Sequence, residues 1–190
     1  MENVNIVLSG LGGQGILFMT KVIAQAALDK GYQVLGAETH GMDQRGGSVI
    51  SHLRLGDVQN SLVRNGTAHF LLSLDENEGY RNLPFLAPGT EMVVNTESPT
   101  YPREEVRTFL RQEKITSRAV PAAAMAREMG APLSANLVLL GYFSAFDRGP
   151  VNHQEIRNTI VKISPDRVRE INLKVFDAGF EKGKQERPGQ

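Results

Sequence analysis

Short apolar runs alternate with stretches of helical period along most of the chain. Val4 to Leu8 is nearly continuous, the pattern of a strand buried on both faces. Ile16, Met19, Val22, Ile23, Ala26 and Ala27 then recur at helical spacing, and Lys30-Gly31 supplies a cationic last turn with a glycine stop. Tyr32 to Ala37 reads as a second strand that completes a βαβ unit. Thr39 to Gly47 has no periodicity and reads as a loop. In Ser48 to Leu55, Val49, Ser51, Leu53 and Leu55 alternate with His52 and Arg54, the mark of a half-buried strand. Further strands are predicted over Ala68 to Leu74, Glu91 to Val94 and Ile115 to Val120, with helices near Glu76 to Leu86 and Pro102 to Glu113. Such alternation predicts an α/β layered domain.

Beyond Val120 the pattern is helical. Pro121 to Met129 stops at Gly130, and Ser134 to Phe146 is apolar almost all round, as a buried helix is. Asn152 with Glu155 forms a capping-box-like start for a helix to about Ile163, and Ser164-Pro165 opens a last helix carrying Val168, Ile171, Val175 and Phe176. Residues 1–180 read as one domain, with 181–190 as a polar, frayed tail.

Composition narrows the chemistry. The 190 residues include no cysteine, which removes disulfides, thiolate nucleophiles and Cys-ligated zinc or iron-sulfur clusters from what this chain does alone. Lys+Arg and Asp+Glu both number 21, so no global basic field favours nucleic acid. No apolar stretch reaches membrane-spanning length and no cleavable leader pattern opens the chain, so a soluble, cytoplasmic protein is expected.

Two glycine-rich segments carry candidate chemistry. Gly10-Leu11-Gly12-Gly13-Gln14-Gly15 follows the first strand and opens the first helix, matching the dinucleotide fingerprint G-x-G-x-x-G. Glu38 lies roughly 20 residues on, where a ribose-binding acid would stand. Glycines let the backbone approach an anion while the free N–H groups of the helix start point at it. The same glycines also suffice for a tight turn, and Glu38 for an ordinary strand-end acid. No Walker Gly-Lys-Ser/Thr ending follows Gly15, which disfavours an ATP or GTP hydrolase. The second segment is His40-Gly41-Met42-Asp43-Gln44-Arg45-Gly46-Gly47-Ser48. Here Arg45 offers bidentate recognition of phosphate or carboxylate, His40 a titratable donor, and Gln44 and Ser48 neutral hydrogen bonds. At the carboxyl ends of parallel strands the two loops would form one pocket. His52, His69 and His153 each stand alone and read as structural or surface residues, not metal ligands. Asp75, Glu76 and Glu78 suit a helix N-terminus. Asn136, inside the apolar helix, requires a partner, either a backbone group or a ligand.

Taken together, Ser-Gly-Leu-Gly-Gly-Gln-Gly at 9–15 and His-Gly-Met-Asp-Gln-Arg-Gly-Gly-Ser-Val at 40–49 resemble the gamma-type subunits of 2-oxoacid:ferredoxin oxidoreductases. The likeness extends through Leu71 to Arg81 and the Asn136 to Gly141 segment. It implies a three-layer α/β/α, Rossmann-like domain with a mostly parallel sheet and a helical C-terminal part. It further implies a non-autonomous subunit of a thiamine-diphosphate enzyme that converts an aryl 2-oxo acid such as indolepyruvate, with coenzyme A, to acyl-CoA, carbon dioxide and reduced ferredoxin. Thiamine diphosphate and the iron-sulfur clusters would sit on a larger Cys-rich partner subunit, which reaches ferredoxin; this Cys-free chain has no acidic-glycine thiamine motif and would bind no cofactor alone. On that resemblance, Gly10, Gly12, Gly13, Gln14, Gly15, His40, Gln44, Arg45, Gly46, Gly47 and Ser48 are the cofactor-contacting set. Asp43 departs from the small residue expected there and sets a negative charge beside Arg45. The alternatives are a stand-alone NAD- or FAD-dependent oxidoreductase and a noncatalytic binding module.

Overall fold

Strand β1 (Val4–Leu11) is the hub of a six-stranded sheet in the computed structural model, which describes residues 2–41 and 46–187. Its six interior residues are all buried, as its near-continuous apolar sequence requires of a strand covered on both faces. Helix α1 (Ile16–Asp29) follows, then β2 (Val34–His40) and β3 (Ser48–Leu55) as an antiparallel hairpin. The chain continues through β4 (Ala68–Ser73), α2 (Glu76–Arg81), a 3-10 turn at Leu83–Phe85, β5 (Leu86–Asn95), α3 (Glu104–Gln112) and β6 (Thr116–Val120). Helices α4 (Ala122–Glu128), α5 (Ala135–Ser144), α6 (His153–Ile163) and α7 (Asp166–Glu186) complete it.

The strand order is β2-β3-β1-β4-β5-β6. Strands β1, β4, β5 and β6 run parallel, whereas β3 is antiparallel to both β1 and β2. The mostly parallel α/β sheet is thus present, but the expected βαβ pairing of the first two strands is not. β3 lies between them, because β2 runs on through His40, past the predicted end at Ala37, and turns back as a hairpin. Thr39 and His40, read from sequence as loop, are strand residues. The helix expected over Glu76 to Leu86 breaks at Asn82, ahead of Pro84, which cannot donate within a helix.

Two apolar layers sandwich the sheet. On one face Ile6, Leu8, Val49, Leu53, Leu72 and Val93 pack with α1, α5, α6 and α7; on the other Val7, Leu71, Met92 and Val94 pack with Leu83, Leu110 and Ile115. α5 is buried from Asn136 to Ser144 and lies directly on α7. Glycines permit that contact: a Cβ at Gly141 would meet the Phe176 carbonyl, and one at Gly183 would come within 2.6 Å of Ala145 Cβ. α7 therefore stays docked well past residue 180. The segment expected to fray from Glu181 is helical through Glu186, whose carboxylate accepts a hydrogen bond from the Tyr142 hydroxyl at 2.5 Å. Tyr142 is pushed far above the usual phenol range, chiefly by burial and also by that carboxylate.

Candidate functional site

The turn after β1 is built by backbone geometry that glycine alone adopts freely. Gly13 and Gly15 have φ of 91° and 84°, and Gly15 caps α1 from the left-handed region. Gln14 locks the turn from within. Its Oε1 accepts from the Leu11 amide at 2.7 Å, and its Nε2 donates to the Leu74 carbonyl at 3.3 Å. Gly10 leaves the space for that amide, since a Cβ there would approach Gln14 Oε1 to 2.6 Å. Gln14, expected to face a ligand, is thus a staple between the turn and the end of β4. Asn95 at the end of β5 donates to the same Leu74 carbonyl at 3.0 Å and accepts from Ala123 at the start of α4. Gln14 and Asn95 thus converge on the Leu74 carbonyl and line a second cavity of about 210 Å³ with Gly13, Ala123 and Leu133, at the crevice where an open α/β sheet of dinucleotide-binding type seats its ligand.

Asn136 resolves in favour of a backbone partner. Its Nδ2 donates to the Gly15 carbonyl at 3.1 Å and its Oδ1 accepts from Leu137, so the buried amide fixes the start of α1. That N-terminus is otherwise uncompensated: it has no side-chain cap and no acidic residue in its first turn. Its amides and the positive end of its dipole are available to an anion.

The β2–β3 hairpin docks beside this turn. Gly12 donates to the Gly47 carbonyl at 2.9 Å, and Gly41 donates to that of Ser48 at 2.7 Å. Register places His40 opposite Val49, and Val49 opposite Gly10. A groove of about 360 Å³ results, lined by Leu11, Gly12, Gly13, Gly15, Ile16, Leu17, His40 and Val49. His40 and the glycine turn are brought together, though through an intervening strand. His40 also lies 3.6 Å from Glu38, which stands on the outermost strand with β3 between it and β1. Glu38 is therefore poorly placed to serve as the ribose acid of a dinucleotide site.

Ser48 points the other way. It precedes Val49 on β3, so the pleat turns it to the opposite face, where its hydroxyl donates to Glu78 Oε2 at 2.6 Å. Gly46 and Gly47 supply backbone to the hairpin; Gln44 and Arg45 lie outside the described residues. Two residues that sequence reasoning undervalued support the site from behind. Glu78, 3% exposed, anchors Ser48, and Asp75 caps α2 by accepting from the Glu78 amide at 3.0 Å. Reading Glu78 as a dipole carboxylate missed that it is buried.

The isolated histidines are structural. His52 accepts from the Val63 amide and meets Phe85 edge-on, and His153 stacks on Phe176 and Phe180. Burial holds both below the usual imidazole range. Among the described residues no group of three or more His, Asp or Glu is arranged to hold a metal ion, and no helix is long and apolar enough to cross a membrane.

Residues 5–182 match the model of the pyruvate ferredoxin/flavodoxin oxidoreductase family. The chain is 34% identical to indolepyruvate oxidoreductase subunit IorB of Archaeoglobus fulgidus, with 97% of each chain covered. It is 32% identical to the same subunit from Methanothermobacter thermautotrophicus, covering 94% of this chain and 96% of that one. Among solved structures, the gamma subunit of a keto/oxoacid ferredoxin oxidoreductase from Geobacter sulfurreducens superposes with a TM-score of 0.76. That match has 25% identity and covers 95% of this chain and 98% of the other.

Proposed function

The chain belongs to the pyruvate ferredoxin/flavodoxin oxidoreductase family and is a subunit of a 2-oxoacid:ferredoxin oxidoreductase; on that premise we propose that the complex oxidises an aryl 2-oxo acid of the indolepyruvate class. Within it, this chain supplies one wall of a shared site and is inactive alone. Two relatives that cover nearly its whole length are subunits of indolepyruvate oxidoreductase, which supports the substrate class.

The donor set fits some cofactors and not others. A chain without cysteine offers no thiolate to an iron-sulfur cluster. The clusters therefore belong on a larger Cys-rich subunit, and thiamine diphosphate is assigned to that subunit with them. An anionic group, such as a phosphate of coenzyme A or of a cofactor held by that partner, does fit the groove at the start of α1. The observation that carries this reading is the uncapped helix N-terminus opening onto a groove with His40 on its far side. Leu17 and Leu133, 44% and 84% exposed, flank the turn as an apolar rim suited to a partner's surface.

In this scheme the glycine-turn amides and Arg45 hold the anion and His40 donates a further hydrogen bond. The test is co-expression with the large subunit, followed by assay of indolepyruvate-dependent ferredoxin reduction. His40→Ala and Arg45→Ala should each lower kcat/KM about tenfold or more, the worth of one charge-assisted hydrogen bond, without altering co-purification or thermal unfolding. Unchanged kinetics in both variants would remove the site assignment. A chain that fails to co-purify with the large subunit would remove the subunit assignment instead.

A further inference from the structure

A cavity of about 380 Å³ opens at the end of the sheet opposite the glycine turn. Asn5 and Arg54 line it from facing positions on β1 and β3, and Asp57, Asn60, Arg64 and Thr67 line it from the connection between β3 and β4. Val58 is its one apolar lining residue. Asn5 stands near the start of β1 and the glycine turn follows its end, about 20 Å away at the rise of a strand. The cavity is therefore separate from the groove beside α1.

The connection, residues 56–67, holds no helix or strand, yet it is tied down along its length. Asn3 Nδ2 donates to the Asp57 carbonyl at 3.1 Å, the Gly66 amide to that of Pro84 at 2.9 Å, and the Thr67 amide to that of Phe85 at 2.9 Å. Arg54 Nη1 fastens the middle by donating to the main-chain oxygen and to Oδ1 of Asn60. A structureless connection of about 12 residues that is held this way has the character of a binding loop.

Arg54 is half-buried, and its contacts are all with neutral oxygens. Its Nε donates to Asn5 Oδ1 at 3.0 Å, and Asn5, 8% exposed, is itself fixed by donating to the Thr67 carbonyl and to His69 Nδ1, each at 3.0 Å. Among the described residues no carboxylate pairs with this guanidinium, and its Nη2 keeps both hydrogens. The Arg64 backbone is anchored where the Thr67 hydroxyl donates to its carbonyl at 2.8 Å, while its exposed side chain pairs with none of the described residues. Against these two guanidiniums the wall sets a single carboxylate, the exposed Asp57. A partly desolvated cation without a counter-ion carries a cost that a bound anion removes.

We propose that this cavity binds a small phosphomonoester, with its phosphate between Arg54 Nη2 and Arg64 and its ester group in the remaining volume. Arg54 has spent Nε and Nη1, so it no longer offers the two-bond planar fork that a carboxylate takes. What remains are donors on separate segments, Arg54 Nη2, Arg64 and the Asn60 amide, which a tetrahedral oxyanion accepts from several directions. The volume lies in the range of small-molecule sites, roughly 300–1,000 Å³, and exceeds what a bare phosphate fills. The site is independent of the anion groove at α1.

Calorimetric titration of the full-length chain with glycerol 3-phosphate, inorganic phosphate and malonate, at one ionic strength, tests the assignment. Glycerol 3-phosphate should bind, inorganic phosphate more weakly, and malonate at least about tenfold more weakly. Arg64→Gln removes a guanidinium that braces nothing, so it should weaken glycerol 3-phosphate at least about tenfold with an unchanged ligand-free melting temperature. Asp57→Asn removes the opposing carboxylate and should tighten binding severalfold, whereas a ligand held through an amine would be weakened by it. Arg54→Lys keeps the charge but gives up the bonds to Asn5 and Asn60; if it does not fold, the two exposed positions still decide. Equal or tighter binding of inorganic phosphate or malonate would overturn the proposal, as would weaker binding in Asp57→Asn. No saturable binding at ~10 mM glycerol 3-phosphate would do the same. Binding that survives Arg64→Gln but is lost in His40→Ala would also overturn it, by placing the ester at the start of α1.

Discussion

Gly15→Ala probes how the start of α1 is held. Two costs are separable in the structure. Gly15 has φ of 84° and ψ of 26°, and a side chain in that left-handed conformation costs about 1–2 kcal/mol. The new Cβ would also lie 2.5 Å from Asn136 Nδ2, so the amide must swing away and give up its 3.1 Å bond to the Gly15 carbonyl. The carbonyl keeps the Met19 amide as a donor, but the buried Asn136 amide is left unpaired, which adds about 1–3 kcal/mol. The single variant should therefore lose about 3 kcal/mol. Asn136→Ala alone should cost about 1–2 kcal/mol, for one hydrogen bond and a small cavity. In the Asn136→Ala background the clash is gone, and Gly15→Ala should then cost only the backbone part. Equilibrium urea unfolding of the four proteins, followed by two probes, gives the coupling directly. A coupling of about 1–2 kcal/mol is expected. Single costs that add to within about 0.5 kcal/mol would show that Asn136 does not press on the turn, and the positioning argument would fail.

Gly183→Ala decides whether the end of α7 is docked, because the two possibilities have opposite signs. In a frayed exposed helix the change would stabilise by up to about 1 kcal/mol. Against Ala145 Cβ at 2.6 Å and the Tyr142 carbonyl at 2.8 Å it should destabilise by about 1–3 kcal/mol, read as a fall in melting temperature. His52 makes stability depend on pH. Burial lowers its folded pKa below the ordinary 6.5, so the unfolded chain binds the extra proton. Stability is then fully present above pH 6.5 and is lost as pH falls through the folded value, with a slope of at most about 1.4 kcal/mol per pH unit for this group. His153 contributes in the same sense, so His52→Asn, which keeps an acceptor for the Val63 amide, should reduce that slope without abolishing it. An unaltered slope in urea titrations below pH 6.5 would contradict the assignment.

Local pattern made most of the layer architecture legible. Val4 to Leu8, the α1 stripe and the all-apolar α5 each occupy the place their periodicity indicates, since a run buried on both faces and a helix buried all round leave little choice. Strand order was not legible in the same way. Nothing within Tyr32 to Leu55 states that β3 inserts between β1 and β2; that depends on a hairpin whose connection falls on Gly41 to Gly47 and on pairings with residues some forty positions earlier. The docked end of α7 was hidden for a related reason. Glu181 to Glu186 is polar on its own terms, and only the glycines at 179 and 183 facing α5 reveal the contact. At the site, the residue types were readable but their direction was not. His40 and Ser48 look like one constellation in sequence, whereas the pleat sends them to opposite faces.

Strand β3 is what separates this glycine turn from a dinucleotide site. In a βαβ unit the second strand would lie beside β1 and bring the acid after it to the ribose. Here the neighbour on that side is antiparallel, so the strand end beside the turn is the start of β3, and it arrives with backbone from Gly46 and Gly47 in place of a carboxylate. On the other side, the Gln14 and Asn95 amides share the Leu74 carbonyl and line a smaller cavity of about 210 Å³. A ligand entering over Gly13, Leu17 and His40 meets the larger groove, of about 360 Å³, and the uncapped start of α1, whereas one on the β4 side meets side-chain amides already bonded to the turn. The same fingerprint residues therefore open the uncapped start of α1 onto the β3 side of the turn, into the groove that His40 also lines.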